Sequence, residues 1–206
     1  MYNRLLMSRA AGKLVMHRRS SGAAIATLDA FFLMRCFGDV SPDDINSSLE
    51  TVEPLIAFRP EGSVSIIVVD STASFPSEAT RRAALEITRK TSASTSAMIM
   101  AVLGDGFWAS AIRGMLMTIG SLSQTTYMRK FLRYEEEAVD TAIDCIGESS
   151  PKYRALLLSS LTQMKSASTS PPPASTNKPA PSKNPPVGSK GPPSSKAPPS
   201  SKRRAG

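Results

Sequence analysis

The order of apolar segments predicts an α/β layer domain, a mixed central sheet of about five strands with helices packed on it. Three observations carry that expectation. Ser63–Asp70 (SVSIIVVD) is a consecutive apolar run, the pattern of a strand covered on both faces. A polar loop and the amphipathic segment SEATRRAALEITRK follow it. The same order then repeats: strand-like AMIMAVL at 97–103, a glycine turn, and the long apolar segment 107–122.

Upstream, Ala23–Leu28 and Phe31–Phe37 are short apolar runs separated by Asp29-Ala30, which predicts a hairpin. Ser41-Pro42-Asp43-Asp44 has the make-up of a helix start. It offers a capping hydroxyl, a proline suited to the first helical position, and acids at the positive end of the dipole. Ile45, Leu49, Val52 and Ile56 follow as one apolar stripe, with Pro54 set to kink the helix or end it near Glu53. The next helix is expected from about Ser77, with Ala79, Ala83, Ala84 and Ile87 facing the sheet. Segment 107–122 carries one charge, Arg113. Being apolar all round, it is expected to be a buried helix with Phe107 and Trp108 in the core. Thr125–Arg133 reads as an edge strand. Glu135–Ile146 and Pro151–Met164 read as helices, the first inward at Val139, Ala142, Ile143 and Ile146, the second at Tyr153, Leu157, Leu161 and Met164.

Charge divides the 206 residues into three parts. The net charge of +8 belongs to the ends. Residues 1–28 carry five basic residues and no acid, and residues 165–206 carry eight and no acid, whereas residues 29–164 hold 12 basic against 17 acidic residues, a net of −5. The expected organisation is a basic N-terminal extension over 1–22, an α/β domain over 23–164, and a disordered Pro/Ser/Lys-rich tail over 165–206. The tail runs through PPVGSK, PPSSK and PPSSK and cannot bury enough apolar surface to offset chain entropy. Within 1–22, Met7, Ala10, Ala11, Leu14 and Val15 fall at helical spacing; a frayed extension is the plainer reading. The basic balance therefore does not mark a nucleic-acid-binding fold. Nucleic-acid contact is expected only of the tail, through its lysines.

Much chemistry is excluded. Cys36 and Cys145 stand far apart and in no Cys-x-x-Cys arrangement, so neither a disulfide framework nor a zinc site is expected, and a reducing, cytoplasmic setting is the default. The single histidine, His17, lies in the basic N-terminal stretch, which leaves the commonest general base out of the expected domain. No catalytic residue, cofactor or metal is expected, and the protein reads as non-enzymatic. Glu135-Glu136-Glu137 point in different directions on a helix and read as a solvated, dipole-favoured face. No membrane span is expected, because the most apolar stretch, 97–122, is broken by Asp105 and Arg113. Arg4, Arg9, Lys13 and Arg18-Arg19 likewise break any secretory h-region.

One motif carries a ligand reading. GDGFWA fits G-x-G-x-x-G/A between a strand and a helix, so Gly104, Gly106 and Ala109 would bring backbone close to a nucleotide's phosphates. The first acid beyond it, Glu135, comes too late for a ribose, and Asp105, Phe107 and Trp108 crowd the place a phosphate needs. A structural turn is the favoured reading, nucleotide or small-molecule binding the alternative.

The strand SIIVVDS, its loop and the helix EATRRAALEI, within this order of elements, resemble the STAS domain, the SpoIIAA-like anti-sigma-factor antagonist family. The likeness spans roughly residues 23–146. It implies a regulatory module that binds a protein partner, and an Asp-Ser-Ser-Gly type motif at the strand end whose Ser or Thr a partner kinase phosphorylates. Asp70-Ser71-Thr72-Ala73 stands at that position, so Asp70, Ser71 and Thr72 are the regulatory candidates. Ala73 replaces the family's glycine, and the loop before the helix is longer than the motif expects.

Overall fold

The structure, a computed structural model, describes residues 12–57, 62–147 and 151–166. Its centre is one mixed sheet of six strands in sequential order: β1 (Val15–Arg19), β2 (Ala23–Leu28), β3 (Phe31–Cys36), β4 (Ser63–Val69), β5 (Thr95–Val102) and β6 (Met128–Leu132). The first two pairings are antiparallel and the last three parallel. The expected β2–β3 hairpin is present, turning through Asp29 at a φ of 50°. Asp tolerates that left-handed conformation better than most residues.

Five helices cover the sheet: α1 (Pro42–Ala57), α2 (Glu78–Thr91), α3 (Gly106–Leu122), α4 (Glu135–Ile146) and α5 (Pro151–Ser166). The crossovers β3-α1-β4, β4-α2-β5 and β5-α3-β6 all step the same way across the sheet. Right-handed crossovers that never reverse direction must place every helix on one face. Accordingly, α1, α2 and α3 lie together over Ile25, Phe32, Met34 and Val102. The opposite face, formed by Leu33, Ile66, Ile99 and their row neighbours, is closed by α4 and α5 through Val139, Ile143, Leu157, Leu161 and Met164. Alternation along each strand thus feeds two cores, which is why β3 and β4 read as unbroken apolar runs.

Several expectations change. The sheet has six strands because residues 15–19, read as part of the extension, pair with β2. Arg18 of that strand donates to Asp44 at 2.9 Å and Arg19 to the Met164 carbonyl at 2.6 Å. Helix α1 starts as expected, with Ser41 and Asp44 capping reciprocally, but it continues past Pro54 to Ala57. Helix α2 caps on Ser77, whose hydroxyl accepts from the Thr80 amide. Its inward side is Thr80, Ala84, Ile87, Thr88 and Thr91, while Ala79 is exposed. Helix α3 is not a buried helix: only Ala109, Ile112 and Gly120 are fully covered, Met117 and Leu122 are exposed, and Phe107 is 90% exposed rather than in the core. The sheet can cover only one side of it, and no other element of the described residues covers the outside. Helix α5 takes in Lys165 and Ser166, expected in the tail, whereas residues 167–206 and 1–11 lie outside the described residues, and with them the expected tail disorder, any nucleic-acid contact through the tail and most of the N-terminal helix reading.

Candidate functional site

The parallel strands β3, β4 and β5 end at one edge of the sheet, where α/β folds place their loops and their ligands. Three segments meet there: 37–41 after β3, 70–77 after β4 and 103–105 after β5. The 70–77 loop is fastened to its neighbours by main-chain bonds. The Asp70 amide donates to the Cys36 carbonyl at 2.8 Å, Ala73 turns back to the Asp70 carbonyl at 3.0 Å, and the Ser74 amide donates to the Gly38 carbonyl at 3.0 Å. Side chains continue the stitching. The Thr72 hydroxyl donates to the Phe37 carbonyl at 3.0 Å, and the Thr80 hydroxyl to the Val40 carbonyl at 2.9 Å. Ala73, buried between loop and sheet, puts its methyl into the core beside Cys36 and Val69.

Beneath this loop lies a charge cluster that the sequence reading did not find. Arg35, 2% exposed on β3, grips both carboxylate oxygens of Asp70, with Nε to Oδ2 at 2.9 Å and Nη2 to Oδ1 at 2.7 Å. Its Nη1 donates to Glu135 Oε2 at 2.9 Å and to the Leu161 carbonyl at 3.1 Å. One guanidinium therefore ties the ends of β3 and β4 to the start of α4 and to α5. Burial works to lower the Arg35 pKa, but its hydrogen bond to Asp70 and the charges of Glu135 and Asp70 outweigh it and hold the pKa above its ordinary value. Burial raises the Glu135 pKa despite the pull of Arg35. Glu135 is thus no solvated acid, unlike exposed Glu136 and Glu137. A buried ion pair of this kind fixes geometry more than it adds stability, and loss of either partner is costly.

The regulatory candidates therefore separate. Asp70 is buried and engaged by Arg35, so it serves the scaffold. Thr72 is exposed but its hydroxyl is engaged. Ser71 is exposed and its hydroxyl makes no hydrogen bond to another described residue.

The glycine turn is accounted for by packing. Gly104 has a φ of +92° and Gly106 a φ of +81°, conformations that favour glycine. A Cβ on Gly104 would press on the Ser71 Cβ at 3.1 Å, so this turn and the 70–77 loop lie side by side. Asp105 begins α3 without a side-chain capping bond, and Ala109 is buried. Arg113, the one cation of α3, donates to the Val102 carbonyl at 2.8 Å and closes the turn from within. Among the described residues no group of His, Cys, Asp and Glu side chains could hold a metal, and no helix is long and apolar enough to cross a membrane.

Two aromatic side chains mark this edge. Phe75, in the 70–77 loop, is 49% exposed and lies under the Arg81 guanidinium, whose carbon is 5.9 Å from the ring centre. Phe107 stands in the first turn of α3, immediately after the glycine turn. No protein-family model matches the chain, and no curated protein matches it.

Proposed function

We propose that the protein is a non-enzymatic, STAS-like regulatory module that binds a protein partner at the edge formed by the 70–77 loop and the start of α3. The observation that carries this reading is the pair Phe75 and Phe107, held in water on two segments that touch through Ser71 and Gly104. Leaving a phenylalanine ring 90% exposed forgoes about 1.5–3 kcal/mol of burial. Aromatic anchors on a braced backbone are the usual energetic centres of protein interfaces. The braced loop also suits a partner that docks without reordering it.

Ser71 is the regulatory residue of this reading. It precedes Phe75 in the same loop and lies against Gly104, two residues before α3 begins, exposed, with a hydroxyl left open for a kinase. A phosphate there adds close to two negative charges at the rim of the docking edge. Affinity capture with the full chain, with Phe75→Ser, with Phe107→Ser and with Glu86→Ala on the outer face of α2 tests the site. A partner retained by the parent and Glu86→Ala and lost by both serine variants is the expected result. An identical partner set for all four contradicts it. Mapping of phosphate on the protein from its own cells is expected to find Ser71 rather than Thr72, and Ser71→Asp is expected to change capture of that partner at least severalfold.

A further inference from the structure

The face of the sheet under α1–α3 is not fully packed. A cavity of about 150 Å³ lies between strand residues Phe32, Ile67, Met98 and Met100 and helix residues such as Met115 and Ile119. Hydroxyls on its helical walls are already satisfied: Ser48 donates to the Ile45 carbonyl, Thr88 to Ala84 and Thr91 to Ile87. The cavity is therefore apolar over most of its wall, and the methionines give it side chains that reshape around a guest at little cost.

Its charged side chains all have one sign. No Asp or Glu lines it, whereas Arg81 and Arg129 do. Arg81 is occupied, donating to the Pro76 carbonyl at 2.7 Å and lying over Phe75. Arg129 stacks on the Tyr127 ring, 5.7 Å from its centre, and makes no ion pair or hydrogen bond with another described residue. Gly120 of α3 makes room for it, since a Cβ there would overlap Nη1 and Cζ of Arg129. A half-buried guanidinium without an anion is costly unless something pairs with it. A second polar group waits on the same row. Ser65 is 4% exposed, lines the cavity, and has a hydroxyl with no hydrogen bond to another described residue. In register Ser65 faces Met98 and Met98 faces Arg129, so all three project from one face of the sheet. Two strand steps separate the Ser65 and Arg129 backbones by about 9.5 Å, a gap that the Arg129 side chain and a small anion can span above Met98.

We propose that this cavity is a binding site for a small hydrophobic carboxylate, its carboxylate held by Arg129 and Ser65 and its hydrocarbon body among Ile67, Met98, Met100 and Met115. The volume sets the body at about the size of a benzene ring, because an apolar cavity of about this size accepts benzene. The cavity adjoins the docking edge, since Ala73, Ser74 and Pro76 of the 70–77 loop also line it, but the proposed ligand contacts lie on β4–β6 and α3 and do not rest on partner binding.

Phenylacetate is the probe, with phenylacetamide as its neutral isostere, both titrated into the full chain by calorimetry and thermal shift. Phenylacetate is expected to bind saturably and raise the Tm, and phenylacetamide to bind about tenfold or more weakly, as loss of a charge-assisted bond requires. Arg129→Gln is expected to erase that difference without weakening the amide, Arg129→Lys to keep part of it, and Ser65→Leu to fill the cavity and abolish both. Methyl NMR of the parent protein gives an independent readout, with shifts centred on Met98, Met100 and Met115. Absence of saturable phenylacetate binding, undiminished binding by a folded Arg129→Gln, or methyl shifts elsewhere would each overturn the assignment.

Discussion

Arg35 is the residue on which the end of β4 and its loop rest, because it reaches Asp70, Glu135 and the Leu161 carbonyl at once. Asp70→Asn leaves its guanidinium short of charge in a dry site and is expected to cost about 3–5 kcal/mol, read from urea unfolding. Replacing both partners, as Arg35→Met with Asp70→Leu, is expected to cost far less than that single change. A second prediction at this scale concerns the thiols. Burial, with the charges of Asp70 and Asp44, pushes the Cys36 thiol up to about 12, and burial also raises that of exposed Cys145. Maleimide is expected to label Cys145 in the native protein and Cys36 only on unfolding. A raised Cys36 pKa means stability that is complete below the unfolded value, near 9.0, and lost as the pH climbs towards about 12. The stability of the parent is thus expected to fall above pH 9 by up to about 1.4 kcal/mol per pH unit more steeply than that of Cys36→Ala. None of this was legible in FFLMRCF. A lone arginine in an apolar strand signals nothing until its acids are found, and they lie 35 and 100 residues away.

At the scale of elements, what the sequence showed and what it hid have physical causes. Strands β2 to β5 were readable as short, nearly unbroken apolar runs because both faces of the sheet are covered, and helices α4 and α5 because their apolar residues follow the helical period. Strand β1 was hidden because an exposed edge strand needs no apolar face: Val15 and Met16 are exposed and Arg18 and Arg19 do their work through hydrogen bonds. Helix α3 misled for the opposite reason. Uniform apolarity carries no face: three residues of α3 are fully buried, while Trp108, Met115 and Leu116 are only half-buried against the core. The starts of α1 and α2 were legible through their caps, and Ser77→Ala is expected to cost about 1 kcal/mol, measured by chemical denaturation, because the Thr80 amide loses its acceptor. Asp44 joins a cap to an ion pair with Arg18. These hydrogen bonds hold its carboxyl below the ordinary aspartate range against the opposing effect of burial. Its contribution is therefore present above the unfolded value and lost as the pH falls through the lowered folded value. Asp44→Asn is expected to flatten the acid limb of stability there.

For the molecule as a whole, sequential winding decides which parts of the sheet are covered. Three crossovers in one direction put α1–α3 on one face and leave the other to α4 and α5, so both faces of the sheet are covered and the strand ends become the open edge. That edge carries a braced loop, an available Ser71 and two unburied aromatics, which is why the account rests on partner binding there. The most direct test places a photoreactive phenylalanine analogue at position 107, and separately at position 86 on the outer face of α2, in the full chain in its own cells. A discrete protein adduct formed from position 107 and absent from position 86, and lost when Phe75 is also changed to Ser, is the predicted result. No adduct from position 107 beyond those formed from position 86 would contradict the account.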